Sequence, residues 1–117
     1  MRTFELRVYT LRNREALQFY GNEIYPRHLG SFPLFRIEAH GFWTVSEDEG
    51  PRLFVLASYP EGAKPGEVVR RYMQSAEFAE DIRNFDGSCV IGVSSTLLPK
   101  LPTSVKETRR RDHSNLN

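Results

Sequence analysis

The sequence predicts an α+β domain whose elements follow in the order β-α-β-β-α-β. Three observations predict this class: apolar residues alternate with period two in separate short segments, two intervening stretches show helical spacing, and an acidic run containing glycine joins the two middle strands. The chain has 117 residues, 39% of them hydrophobic and 12% aromatic, which is enough for one core and too apolar for a disordered chain. We therefore predict one domain over residues 1–98, followed by a basic, polar tail over residues 99–117 that is extended or disordered.

The first half of the domain predicts a strand and a helix. Residues 4–11 alternate apolar with mostly polar side chains, which is typical of a strand. Asn13 is a suitable N-cap for a helix, and Pro26 is expected to end or kink that helix because proline lacks the backbone donor. One stripe of this helix carries the apolar residues Leu17, Tyr20 and Ile24.

A hairpin is predicted in the middle of the chain. Residues 30–33 contain glycine, serine and proline, which predict an irregular connection. A strand over residues 35–45, a turn over residues 46–51 and a strand over residues 53–59 then form an antiparallel pair.

The second half repeats the alternation of helix and strand. Residues 67–85 show helical spacing, with a possible break near Ser75, and Asp86-Gly87 ends the helix before a last strand over residues 89–98. We predict that the inner stripe consists of Val69, Tyr72, Met73, Ala76, Ala79 and Ile82. Two such units around a central hairpin form a ferredoxin-like fold, in which the helices cover one face of a four-stranded sheet.

The predicted strands are apolar on both faces. In the third strand, Leu53, Val55 and Ala57 lie opposite Phe54 and Leu56. In the second strand Phe42 lies opposite Trp43, and in the fourth strand Val90 lies opposite Ile91 and Val93. A sheet whose second face meets water carries polar residues there. We therefore predict a homodimer that forms through the open sheet face.

Charge and composition restrict the partners. A net charge of +1 gives no electrostatic reason to expect nucleic acid or a charged membrane. The single cysteine, Cys89, excludes an internal disulfide and a cysteine-based zinc site. No motif predicts a metal or another cofactor. No apolar run is long enough for a membrane span, no apolar leader begins the chain, and we expect a cytoplasmic protein.

Three short segments resemble the NIPSNAP family. The opening strand reads Phe-Glu-Leu-Arg-Val-Tyr-Thr-Leu over residues 4–11, and it is followed by His28-Leu29-Gly30 and by Gly41-Phe42-Trp43. The resemblance covers about residues 3–99, with an insertion over residues 31–36. It implies a dimeric α+β barrel, in which two ferredoxin-like sheets close against each other. Broader relatives of this fold include monooxygenases, polyketide cyclases and haem-degrading enzymes, so the fold does not decide the function.

The candidate site residues are aromatic or basic. His28 and His40 are candidate general bases or haem ligands, or else hydrogen-bonded packing residues; we expect His40 to share a strand face with Phe42. Polyketide cyclase-like relatives use a tyrosine–histidine pair, which Tyr20 or Tyr72 could complete. We predict the catalytic residues His28, His40 and Tyr20, and the ligand-binding residues Arg7, Tyr9, Trp43 and Tyr72.

Two further interpretations concern a possible haem-degrading set and the role of Arg7. Haem-degrading relatives use an asparagine, a histidine and a tryptophan, for which this chain offers Asn22, His28 and Trp43. Arg7 either pairs across the strands with its neighbours or binds an anion in a pocket. We predict that the protein binds or converts a small aromatic or polyketide-like molecule between sheet and helices; the alternative is a non-catalytic dimeric module for protein interaction.

Overall fold

Four antiparallel strands form one sheet in the order β2-β3-β1-β4. The computed structural model describes residues 1–45 and 49–99. Its strands are β1 Thr3–Leu11, β2 Glu38–Thr44, β3 Arg52–Tyr59 and β4 Val90–Leu98. This order and the helices between the strands confirm the predicted ferredoxin-like α+β fold. Residues 46–48 of the predicted turn and residues 100–117 of the predicted tail lie outside the described residues.

The first helical layer is longer than predicted. It consists of α1 Arg14–Phe19, a π-helical turn Tyr20–Ile24, α2 Tyr25–Ser31 and a 3₁₀ turn Phe32–Phe35. Asn13 caps α1, because its Oδ1 accepts a hydrogen bond from the Ala16 backbone N–H at 2.8 Å. Pro26 does not end the helix, so that half of the prediction was wrong: Pro26 lies in the first turn of α2, where no backbone N–H is required. The helix changes to a wider π-helical turn just before the proline ring.

The connection to β2 also differs from the prediction. Residues 30 and 31 are helical rather than irregular, and the 3₁₀ turn extends through Phe35. Arg36 then adopts a left-handed conformation with φ of 60° and ends the layer. Strand β2 consequently begins at Glu38 and not at residue 35.

The second helical layer breaks at Ser75. It consists of α3 Pro65–Met73 and α4 Ala76–Asp81, followed by a 3₁₀ turn Gly87–Cys89. Ser75 caps α4, because its Oγ accepts from the Phe78 backbone N–H at 3.1 Å, which confirms the predicted break. A new helix begins there with a new phase, so the single inner stripe was wrong in part: Met73, Ala76 and Ala79 are exposed.

The core lies between the helices and one face of the sheet. On that face Leu11, Leu53, Val55, Ala57 and Tyr59 are each 2% exposed or less. The opposite face, which we call the open face, has no covering element among the described residues. Its apolar side chains, partly or largely exposed, are Phe4, Leu6, Val8, Trp43, Phe54, Leu56 and Leu98.

Two β-bulges shift side chains between the faces. The register of β2 on β3 slips between Ala39 and Gly41, and as a result His40 lies on the open face and not on the Phe42 face. The register of β4 on β1 slips between Val90 and Gly92, so that Val90 and Val93 both lie on the helix side rather than on opposite faces. An extra residue in one strand of a pair produces this shift.

No helix within residues 1–45 and 49–99 is long and apolar enough to cross a membrane. The cytoplasmic location stays a prediction.

Candidate functional site

A cavity of about 310 Å³ lies between the sheet and the helices. Strands β1 and β4 form its floor, and α2, α3 and α4 supply its walls. Its lining is almost entirely apolar, and His28 with the tyrosine hydroxyls provides its polar groups. The lining residues are Tyr9, Tyr20, His28, Phe32, Val69, Tyr72, Met73, Phe78, Ile82, Phe85, Gly87, Val90 and Val93.

Three buried polar side chains meet at one wall of the cavity. The Tyr72 hydroxyl donates to Asp81 Oδ2 at 2.6 Å and contacts His28 Nδ1. His28 Nδ1 lies 3.5 Å from the same carboxylate oxygen. The residues come from the middle of α2, the end of α3 and the end of α4, so the break at Ser75 is what turns Asp81 toward the other two. All three are less than 10% exposed.

Aromatic rings fix the orientation of His28. Its imidazole is parallel to the Phe78 ring at a centroid distance of 5.6 Å. It also stacks on Phe32, in the 3₁₀ turn that follows α2, at 6.1 Å. Tyr25 meets it edge-on at 5.4 Å. Burial lowers the pKa of His28 from 6.5, and the hydrogen bond and charge of Asp81 offset only part of that effect. The imidazole is therefore neutral near pH 7.

A second polar group lies on the helix-facing side of β1. Glu5 is 2% exposed and accepts hydrogen bonds from the hydroxyls of Tyr59 and Ser95. Arg7 Nη1 donates to Glu5 Oε2 at 3.1 Å, and Arg7 Nε donates to the Tyr9 hydroxyl at 3.0 Å. Burial alone would lower the pKa of Arg7, but its contacts with Tyr9 and Glu5 outweigh burial and raise it. Arg7 is thus occupied by internal partners, and these two lie on its own strand β1 rather than across the strands as the interpretation expected.

Three tyrosines connect this group with the cavity. The rings of Tyr9 and Tyr20 lie 5.5 Å apart, and those of Tyr20 and Tyr25 lie 5.8 Å apart. Burial, followed by the proximity of Tyr9, raises the pKa of Tyr20 and of Tyr25 well above the ordinary value of 10.0. The phenols of Tyr20 and Tyr25 therefore stay protonated at neutral pH, and of the two Tyr20 lines the cavity.

The structure brings together four of the seven predicted site residues and separates the others. Tyr9, Tyr20, His28 and Tyr72 line the cavity, and Arg7 contacts it only through Tyr9.

His40 and Trp43 lie elsewhere, on the open face. His40 Nε2 is 2.7 Å from Ser58 Oγ, and its ring packs on Phe4 at 5.0 Å. Trp43 is 55% exposed and, with Asn22, borders a separate, more polar cleft of about 340 Å³ beside α1. The haem-degrading set Asn22, His28 and Trp43 is therefore not assembled around one cavity.

Asp81 was missed by the sequence analysis. A single helix over residues 67–85 gave no reason to select one of its several acidic residues. If Ser75 is taken as an N-cap, Phe78, Asp81 and Ile82 follow at spacings of three and four residues and share one helix face. An acidic residue on an otherwise apolar face was the available signal.

A metal site is not evident in the part of the chain that the structure describes, because no group of three or more His, Cys, Asp or Glu residues is placed to hold an ion there.

Comparison with known proteins gives a family and a fold. The family model for NIPSNAP matches residues 4–105. A NIPSNAP family protein from Agrobacterium tumefaciens has a TM-score of 0.64 at 12% identity, over 88% of this chain and 96% of that chain. A NIPSNAP domain protein from Burkholderia xenovorans has a TM-score of 0.62 at 15% identity, over 86% of this chain and 96% of that chain. Another family protein from Agrobacterium tumefaciens, of unknown function, has a TM-score of 0.58 at 15% identity, over 87% of this chain and 90% of that chain. Comparison with curated proteins finds no match.

Proposed function

Because the chain belongs to the NIPSNAP family, whose structural relatives specify the fold alone, we propose from its own cavity that it binds a small aromatic or polyketide-like molecule between sheet and helices. The observation that carries the proposal is an apolar cavity of about 310 Å³ with one buried polar cluster on its wall. Small-molecule sites have this composition: apolar walls provide affinity and a few polar groups orient the ligand. Flat aromatic rings suit walls made of Tyr20, Phe78 and Phe85.

The polar cluster allows chemistry as well as binding. A neutral histidine beside a carboxylate can accept a proton from a bound molecule, because the resulting imidazolium is stabilised by the negative charge. His28 has such a neighbour in Asp81, at 3.5 Å. Conversion of the ligand would proceed through this pair.

Calorimetric titration with naphthalene, a flat aromatic probe, tests the binding proposal. We expect saturable, stoichiometric binding to the wild-type chain. Val93→Trp fills the mouth of the cavity from a half-exposed position and should abolish binding. Leu34→Trp adds the same ring at a position that is 69% exposed and is not among the lining residues, and it should leave binding unchanged. Equal binding to both variants, or none to the wild type, would refute the proposal. Trp43 quenching is unsuitable as a readout, because Trp43 lies on the open face.

We also propose that the chain forms a homodimer through the open face. The apolar side chains of that face would be left in water in a monomer, and soluble monomers rarely expose large apolar patches. If the partner hides roughly 350 Å² of apolar surface on each chain, the gain is about 9 kcal/mol per chain. The two chains together then exceed an association cost of about 4–15 kcal/mol.

Sedimentation at micromolar concentration tests the dimer. We expect a species of twice the chain mass of 13.5 kDa. Phe54→Asp places a charge at the centre of the open face and should yield monomer or aggregate, whereas Leu34→Asp on the helical side should sediment as the wild type does. A wild-type species of 13.5 kDa would contradict the proposal.

The alternative is a non-catalytic dimeric module that serves a protein partner. The observation that favours it is apolar surface away from the open face, where Leu34 is 69% exposed and Phe19 is 38% exposed. A chain that dimerises normally and takes up no aromatic probe in the cavity would support this alternative.

A further inference from the structure

The hydrogen bonds around His28 fix the position of its proton. Tyr72 has one hydroxyl proton, and it donates that proton to Asp81 Oδ2 at 2.6 Å. The carboxylate only accepts. His28 Nδ1 therefore faces two acceptors, the Tyr72 oxygen and Asp81 Oδ2 at 3.5 Å, and must carry the imidazole proton itself. In the neutral ring the other nitrogen, Nε2, is then an acceptor.

Nε2 is the hydrogen-bonding atom of His28 that remains available to a ligand. Within residues 1–45 and 49–99, the hydrogen bonds of His28 all use Nδ1, and His28 lines the cavity. Burial lowers the pKa of the imidazole, which keeps Nε2 unprotonated near neutral pH. When a ligand fills the cavity it displaces the water that can reach Nε2, and a ligand that brings a donor replaces the lost hydrogen bond.

We propose that the cavity selects neutral aromatic molecules that carry a hydroxyl group, such as phenols and naphthols, and that Asp81 is the positioning residue that sets this preference by holding His28 with Nε2 as the acceptor. The inference rests on the proposed function, since it names the class of ligand for the same cavity. An aromatic carboxylate is disfavoured, because its charge would lose water in an apolar cavity and would meet the negative charge of Asp81. An aryl ether of the same shape is disfavoured, because it leaves Nε2 without a donor.

Three probes of one ring system test the selection. Naphthalene, 1-naphthol and 1-methoxynaphthalene are titrated by calorimetry at neutral pH. We expect 1-naphthol to bind roughly fivefold more tightly than 1-methoxynaphthalene, which is the range of one net hydrogen bond. Binding of all three with equal affinity would overturn the inference and leave the proposed function intact. Binding of none of them would overturn both.

Two variants test the role of Asp81 through the position of the proton. In Asp81→Leu, Tyr72 loses its acceptor and donates to His28 Nδ1 instead. The proton then moves to Nε2, which becomes a donor, and the preference for 1-naphthol over the ether should disappear. Glu77→Leu is the matched control: it removes an exposed acidic residue of the same helix outside the cavity, Nδ1–H still faces Tyr72 and Asp81, and the preference should remain.

Nitrogen-15 NMR of the imidazole gives a readout that a merely structural role would not change. We expect the Nδ1–H tautomer of His28 in the wild type and in Glu77→Leu, and the Nε2–H tautomer in Asp81→Leu. An Nε2–H tautomer in the wild type would overturn the inference even if Asp81→Leu does not fold. A folded Asp81→Leu that keeps the Nδ1–H tautomer or the preference for 1-naphthol would overturn the role of Asp81.

Discussion

Replacing Glu5 by glutamine should destabilise the fold by about 3–5 kcal/mol. Glu5 is 2% exposed and neutralises Arg7, whose side chain is only 16% exposed. The glutamine side chain has almost the same size, but it removes the negative charge and turns donor hydrogens toward the hydroxyls of Tyr59 and Ser95, which donate to the carboxylate in the wild type. A buried guanidinium without its counter-charge accounts for most of the cost, which is a large share of a typical domain stability of about 5–15 kcal/mol.

Urea denaturation followed by circular dichroism measures this effect. Glu38→Gln is the matched control, because Glu38 also pairs with an arginine, Arg2 at 3.6 Å, but is 57% exposed; we expect a loss below about 1 kcal/mol there. Adding Arg7→Met to the Glu5→Gln variant should recover part of the lost stability, because the unpaired charge is removed. Equal stability of the Glu5 and Glu38 variants would refute the reasoning.

Further predictions concern pH, a helix cap and a close contact. The folded chain holds His28 with a pKa below 6.5, so the unfolded chain binds more protons as the pH falls. The contribution of His28 to the free energy of unfolding should therefore be fully present above pH 6.5 and be lost below it. His28→Phe should reduce the difference between the urea midpoints measured at about pH 7.5 and about pH 5.5. Ser75→Ala removes the bond to the Phe78 N–H and should cost about 1 kcal/mol in the same assay, and an unchanged midpoint would contradict the capping role. Gly41→Ala would place a methyl 2.7 Å from ring atoms of Trp43, so the ring must move and the emission of the lone tryptophan should shift; an identical spectrum would contradict this contact.

The fold could be predicted because its signals are local. Alternation in β1 and β3 and helical spacing around Leu17 and Val69 depend on neighbouring residues, which the sequence displays directly. The cap at Ser75 is equally local. Alternate positions in the sequence already show that both faces of β3 carry apolar residues, and the observed pairing of β3 with β1 agrees with this prediction.

The site could be predicted only in part, since a shift of one residue decides where its side chains point. A bulge at His40 moves that side chain to the open face, and Gly41 beside it was the only hint. Asp81 was missed because α4 is a separate helix, so the helical spacing counted along α3 does not show which face Asp81 occupies. Pro26 suggested an interruption, whereas the chain continues through a π-helical turn.

That π-helical turn makes the site tolerant of a one-residue change in chain length. Each residue of an α-helix rotates the next by about 100°, and a π-helical turn absorbs about one residue beyond the α-helical count. Deleting one residue from the partly exposed stretch Gly21–Glu23 would convert Tyr20–Ile24 into ordinary α-helix and improve its local geometry. Tyr20 and His28 are eight residues apart in the sequence, and because the π-helical turn absorbs one residue they face the same side, as residues seven apart do in an α-helix. The shortened chain would have that seven-residue spacing in ordinary α-helix and would keep both side chains on the cavity. A one-residue gap at this turn is therefore no sign of a lost site when relatives are compared for a shared activity.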